Sequence, residues 1–211
     1  MDNLYIEQGY KVVKVRTESS FTKKVYCLFE GSIPSSYAKT YVFEYTKHNS
    51  CYDKLLNSLK IFKNYYPLDI NYTVEGNVVN IILDPIHFPR EQDNYSGNNH
   101  FSFGYKEYLK IYKEFLLKLA SANLDGNGYV VCEDFYINCT GLIGSNVVYD
   151  GTSLICIDES KIKVLSSKDA AKIIALCGGL KCLHENFPPE LHLNSNKAIK
   201  IMKNLVNEIY D

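Results

Sequence analysis

The apolar positions of this chain change period several times, and the changes divide it into short elements. Tyr10 to Val15 and Val25 to Phe29 are rich in β-branched and aromatic residues, and Thr17, Glu18, Ser19 and Ser20 between them supply turn chemistry. Gly31 to Ser36 reads as a loop, and Thr40 to Tyr45 as a third strand. From Ser50, a residue able to cap a helix, Tyr52, Leu55, Leu56, Leu59 and Phe62 recur at three- and four-residue intervals. That stripe predicts an amphipathic helix. Leu68 to Val74 and Val78 to Leu83 then return to strand character around Glu75, Gly76 and Asn77, a hairpin turn.

Asp84-Pro85-Ile86-His87-Phe88-Pro89 is expected to stop the sheet, because proline donates no ladder hydrogen bond. Arg90 to Asn99 is polar and reads as a loop, and a domain boundary is placed between residues 86 and 87. Tyr105, Tyr108, Leu109, Tyr112, Phe115, Leu116 and Leu119 line one stripe of a second helix, which ends near Gly126 and Gly128. The tyrosines of this stripe read as core or subunit contact. Two more helices are expected, Lys168 to Leu183 behind a Ser166 or Ser167 cap, and Ser195 to Tyr210. The pattern predicts an α+β fold. Its first part, 1–86, is a five-stranded antiparallel sheet with one helix, and its second, 87–211, is mostly helical with a β-hairpin.

That hairpin carries the candidate chemistry. Val147 to Tyr149 and Leu154 to Ile157 are short apolar runs joined by Asp150-Gly151-Thr152-Ser153, and an Asp-Gly pair between β-formers is a strong turn signal. Asn146 stands just before the hairpin and Asp158 just after it. Paired strands bring an amide and a carboxylate to one rim, and hard cations such as Mg²⁺ prefer such oxygen ligands. A hairpin with polar ends and no further role is the alternative.

Composition narrows the classes. The 211 residues are 46% hydrophobic and carry a net charge of −1, which suits one or two globular domains rather than a nucleic-acid-binding surface. No apolar run approaches the roughly 20 residues of a membrane span, and the first residues lack a signal-peptide pattern. The seven cysteines are odd in number and mostly lie in apolar runs, so they read as reduced thiols of a cytoplasmic protein. The five histidines have no ligand spacing, and Gly141-Leu-Ile-Gly-Ser145 is neither a nucleophile elbow nor a phosphate loop.

The segment from Asn146 to Asp158 resembles the stretch of protein-kinase-like folds between the catalytic-loop asparagine and the metal-binding aspartate. Val131-Cys132-Glu133-Asp134 is similar to that family's Val-His-Arg-Asp, following a helix and a turn as that motif does. The order strand, strand, strand, helix, strand, strand, then helix, hairpin, helices is also the family's order. The resemblance implies a two-lobed fold and ATP with Mg²⁺, or no cofactor in a degenerate member. It makes Asn146 and Asp158 the metal ligands, Asp134 the acid that orients a substrate hydroxyl, and Lys47 or Lys39 the phosphate cation.

Departures from the pattern are specific. Eleven residues separate Asp134 from Asn146, where the family has about four. The turn from Arg16 to Thr22 has no glycine, so backbone amides have no open approach to phosphates. The family's Val-Ala-Ile-Lys over Tyr41 to Glu44 puts a glutamate in the lysine's place, and the following helix offers only Asp53 in its first turn. Three readings follow: a pseudokinase that binds a protein partner, an active atypical kinase using Asp134, Asn146 and Asp158, or an unrelated α+β interaction module. A protein partner, with no nucleic acid and no membrane, is the expectation.

Overall fold

The structure is a computed structural model, and it describes residues 10–17, 21–30, 33–44, 49–87, 103–123, 125–137, 146–149, 151–187 and 195–211. The expected turn at Glu18 to Ser20, the loop from Arg90 to Asn99 and Lys47 lie outside the described residues. The chain divides into two compact units, Met1–Arg90 and Glu91–Asp211, and its fold is of the α+β class.

The first unit is an antiparallel sheet of β1 (Tyr10–Thr17), β2 (Phe21–Glu30), β3 (Ile33–Glu44), β4 (Ile70–Glu75) and β5 (Val78–His87), in the order β1-β2-β3-β5-β4. Helix α1 (Asn49–Tyr65) lies on one face. Tyr41 and Phe43 of β3, Val79, Ile81 and Leu83 of β5 and Leu59 of α1 form the core between them. The register explains this composition. Tyr41 pairs with Ile81 and Lys39 with Leu83, so alternate residues of adjacent strands share the helix-facing side. On the opposite side Tyr26 and Ala38 pair and are fully buried. Gly76, at φ 59° in the first position of a two-residue turn, closes the β4–β5 hairpin with the backbone twist that position requires.

Two sequence expectations change here. β3 begins at Ile33, so the expected loop through Ser36 is strand and Lys39 lies well inside it. Pro85 does not end the sheet. β5 continues to His87, with Ile86 paired to Tyr37 and His87 to Ser36, and the register slips between Tyr37 and Lys39. The slip sets both Asp84 and Pro85 against Ala38. A bulge is where a proline's missing donor does least harm in a strand, and Asp84 N–H turns instead to the Asp69 carbonyl at 3.0 Å. The expected boundary at 86/87 therefore falls inside a strand.

The second unit holds helices α2 (Tyr105–Ser121), α3 (Lys168–Asn186) and α4 (Ser195–Tyr210), with two strand pairs beside them. β7 (Val147–Tyr149) and β8 (Leu154–Cys156) form the expected hairpin. β6 (Tyr129–Cys132) and β9 (Ile162–Leu165) form a second antiparallel pair that the residue pattern did not announce. Of the two candidate caps for α3, Ser167 is the one used, its Oγ accepting from Ala170 N–H at 3.2 Å. The tyrosine stripe of α2 is core. Tyr108 donates to the Gly179 carbonyl at 2.9 Å and Tyr112 to the Ala175 carbonyl at 2.7 Å, pinning α2 to α3. Burial drives both phenol pKa values well above their ordinary value.

Such close packing needs glycine at two mid-helix positions. A Cβ on Gly178 would stand 2.9 Å from Phe135 Cβ, and one on Gly179 would stand 2.6 Å from Tyr112 Cε1 and 2.8 Å from Met202 Sδ. Glycine normally weakens a helix by about 1 kcal/mol relative to alanine. Here it admits α2, α4 and the turn after β6 to the surface of α3. No described helix is long and apolar enough to cross a membrane.

Candidate functional site

β6 ends at Cys132 and the chain turns through Glu133 and Asp134. Asp134 adopts φ 49°, a left-handed conformation that side chains other than glycine, asparagine and aspartate rarely take. Asn146 holds the turn in that shape. Its Nδ2 donates to the Glu133 carbonyl at 3.0 Å and to the Asp134 carbonyl at 2.6 Å, and its Oδ1 accepts from Tyr136 N–H at 2.8 Å. Both donors and one of the two lone pairs are thus used by backbone, which fixes the orientation of the amide. Asn146 is buried. The backbone closes the same junction, since Asn146 N–H and Val147 N–H both reach the Tyr136 carbonyl, at 3.3 and 3.1 Å. The eleven intervening residues therefore do not separate Asn146 from Asp134.

Asp158 follows β8 and caps a single turn of 3-10 helix, Glu159–Lys161. Its Oδ1 accepts from Ser160 N–H at 3.1 Å and from Ser160 Oγ at 2.7 Å. Ile157 N–H bonds the Asn146 carbonyl at 2.9 Å, so the hairpin ladder extends one rung beyond β7 and β8 and ends beside Asp158. Lys161 closes the ring of residues. Its carbonyl accepts from Glu133 N–H at 2.7 Å, and its Nζ lies 2.5 Å from Asp134 Oδ2. Beneath these groups the thiols of Cys132 and Cys156 touch at 3.8 Å, and hydrogen bonding to Cys156 together with burial pushes the Cys132 pKa well up. Among the described residues no three His, Cys, Asp or Glu side chains gather as a metal-ligand set. Asn146 Oδ1 and Asp158 Oδ1 each already accept from a backbone N–H.

The Asp134–Lys161 pair makes acid stability testable. The hydrogen bond and charge of Lys161 hold the Asp134 carboxyl below its ordinary 3.8, so the pair's contribution is full above that value and is lost as pH falls through the lower folded value. Asp134 is largely exposed, so solvent keeps the contribution well under about 1 kcal/mol. Lys161→Met is expected to flatten the fall of melting temperature below pH 3.8 at low salt, with less difference from wild type at high salt. Identical acid limbs for the two proteins would remove the pair from the account.

In the first unit Lys39 is 4% exposed, and its Nζ lies 5.7 Å from the Phe62 ring centroid on α1. It is therefore not a solvated lysine at a strand start. The single acid of helix α1, Asp53, is exposed. Lys23 of β2, which the sequence pattern did not single out, is also buried at 7% exposure, with its Nζ 5.7 Å from the Tyr41 ring centroid. Lys161 was missed as well. Each sits in a strand or turn whose pairing partner is remote in sequence, so no local period marks it.

No protein-family model matches this chain, and no curated protein matches it. Among solved structures it is similar to the Cydia pomonella granulovirus kinase PK-1 at 12% identity, over 97% of this chain and 90% of that one, with a TM-score of 0.45.

Proposed function

We propose that this chain is a kinase-like protein without phosphoryl transfer, a pseudokinase that acts by binding a protein partner. One observation carries the reading. Lys39 lies on β3 where a phosphate cation is expected, yet the adjoining helix meets it with the Phe62 ring and contributes no acid. A kinase lysine is met by a carboxylate from that helix, and here the helix offers an aromatic ring in its place. The glycine-free sequence from Arg16 to Thr22 and the Glu159-Ser160 that stands after Asp158 in place of the family's Phe-Gly support the same conclusion. In this reading Asn146 and Asp158 are vestigial metal ligands, the Asn146 amide being given over to the turn, and Lys39, with Lys47 in reserve, is the candidate phosphate cation.

An active atypical kinase is the second reading, and the Asn146 clamp on the Asp134 carbonyl favours it, since it sets the two residues side by side. Radiolabel transfer separates the two. The wild-type protein, given labelled ATP, Mg²⁺ and a generic protein substrate, is expected to transfer no more label than Asp134→Asn does. Transfer by wild type that is abolished in Asp134→Asn would overturn the pseudokinase reading.

A further inference from the structure

Helix α3 is apolar on two opposite faces. On the inner one Ala171, Ala175 and Cys182 are buried, and Gly179 meets Tyr112 of α2 and Met202 of α4. On the outer one Asp169, Ile173, Leu176, Cys177, Leu180 and His184 recur at three- and four-residue intervals, a single stripe about four turns long. The two leucines are half-buried and the other four residues are exposed, Ile173 to 61%. Between its two ends the stripe carries no charged side chain. A surface helix normally turns a polar face to water, and one that is apolar all round is normally covered on every side. The lysines that flank the stripe are held by partners off it. Lys172 Nζ lies 2.5 Å from Asp211 Oδ1, and Lys181 Nζ lies 5.4 Å from the Tyr136 ring centroid.

Apolar residues three and four apart make the seam along which helices pair. The stripe is also its own complement. Its acid stands in the first turn of α3 and its imidazole in the last. That polarity suits the dipole of a single helix, and it also fits an antiparallel copy of the same helix. With a two-fold axis between Leu176 and Cys177, Asp169 faces His184 of the second copy, Ile173 faces Leu180, and Leu176 faces Cys177. A parallel pair would set Asp169 against Asp169. A lipid surface would favour a basic border, whereas this stripe begins with an aspartate.

We propose that the outer face of α3 is a dimer interface, on which a second copy of this chain lays its own α3 antiparallel about that axis. The interface is isologous, so it closes at two copies and leaves no stripe open. One helix pair buries less than a standard protein interface, and the expected Kd is about 10 to 100 µM. The proposal goes beyond the binding reading above and does not rest on it, since the presence or absence of label transfer leaves α3 unchanged.

The test is sedimentation equilibrium of the full chain from about 1 to 200 µM. Wild type is expected to pass from monomer to dimer across this range. Ile173→Glu is expected to dimerise at least about tenfold more weakly, because it buries an unpaired carboxylate in the seam. Its melting temperature at the lowest concentration should match wild type, since the side chain is exposed in the single copy. That match separates loss of the interface from loss of the fold. His184→Glu should weaken the dimer about threefold by facing Asp169 with a like charge, and adding Asp169→Lys should restore it. A wild type that stays monomeric throughout overturns the proposal and leaves the stripe to a foreign helix. A dimer that Ile173→Glu leaves at wild-type affinity overturns it too, placing the contact on another surface. Loss in His184→Glu that Asp169→Lys does not restore overturns the antiparallel arrangement.

Discussion

Asn146→Asp is expected to be more destabilising than Asn146→Ala, the reverse of what a metal ligand would show. Alanine leaves the Glu133 and Asp134 carbonyls without their side-chain donor and Tyr136 N–H without its acceptor, in a buried place. That loss is worth about 3 kcal/mol, with the left-handed Asp134 turn no longer held. Aspartate keeps the acceptor for Tyr136 N–H but aims a second oxygen at two carbonyls. A buried carboxylate facing acceptors costs still more, about 4 to 5 kcal/mol. Thermal unfolding near neutral pH should rank wild type above Asn146→Ala above Asn146→Asp. Acidification should recover part of the aspartate variant's loss, because a protonated carboxyl can donate one of the missing hydrogen bonds. A fully stable aspartate variant that also binds Mg²⁺ with ATP more tightly would show that the residue serves the cation rather than the turn.

Filling the glycine pair of α3 is expected to be the other large effect. Gly179→Ala places a methyl 2.6 Å from Tyr112 Cε1 and 2.8 Å from Met202 Sδ. Met202 can rotate away, but Tyr112 is fixed by its bond to the Ala175 carbonyl and by ring contacts to Phe115 and Phe135. Overpacking of this kind costs about 1 to 3 kcal/mol, and alanine's helix preference returns roughly 1. Gly179→Val has no such return and should lose about 3 to 4 kcal/mol. Combining Gly179→Ala with Met202→Ala should cost less than the two single changes added together, since one clash partner is gone. Strict additivity in chemical denaturation would mean that the slot does not bind the helices in the way described.

Most elements were legible because their residues repeat at one period. Helices α1, α2 and α4 show as stripes and α3 through its serine cap, and the β4–β5 and β7–β8 hairpins show as apolar runs around Gly76 and Gly151. What escaped was set by partners far along the chain. β6 and β9 are four residues each, too short for a period to appear, and they exist as strands because Cys132 pairs with Ile162 and Tyr129 with Leu165. Ile33 to Ser36 carries proline and serine, the usual composition of a loop, yet β2 and β5 on either side draw it into the sheet. Pro85 reads as a stop in sequence because a bulge leaves no local mark. The site followed the same rule. Asn146 and Asp158 were visible as polar ends of a hairpin, but the nearness of Asp134 depended on Tyr136 meeting Asn146. Lys39 was visible as a candidate cation and Lys23 was not, and the burial of both escaped because it is a property of the sheet, not of neighbours in sequence.

The junction at Tyr136 makes the chain a natural acceptor for grafted peptide. Residues 136–137 and 146–147 are fastened to each other by main-chain bonds, by the Asn146 amide and by the Ile137–Val147 bridge, so the stretch between them is pinched off at its base. Lengthening a segment already tethered at both ends is cheap, about 0.6 kcal/mol for each doubling. An epitope or a fluorogenic tag spliced in there would ride on the turn without prying it open.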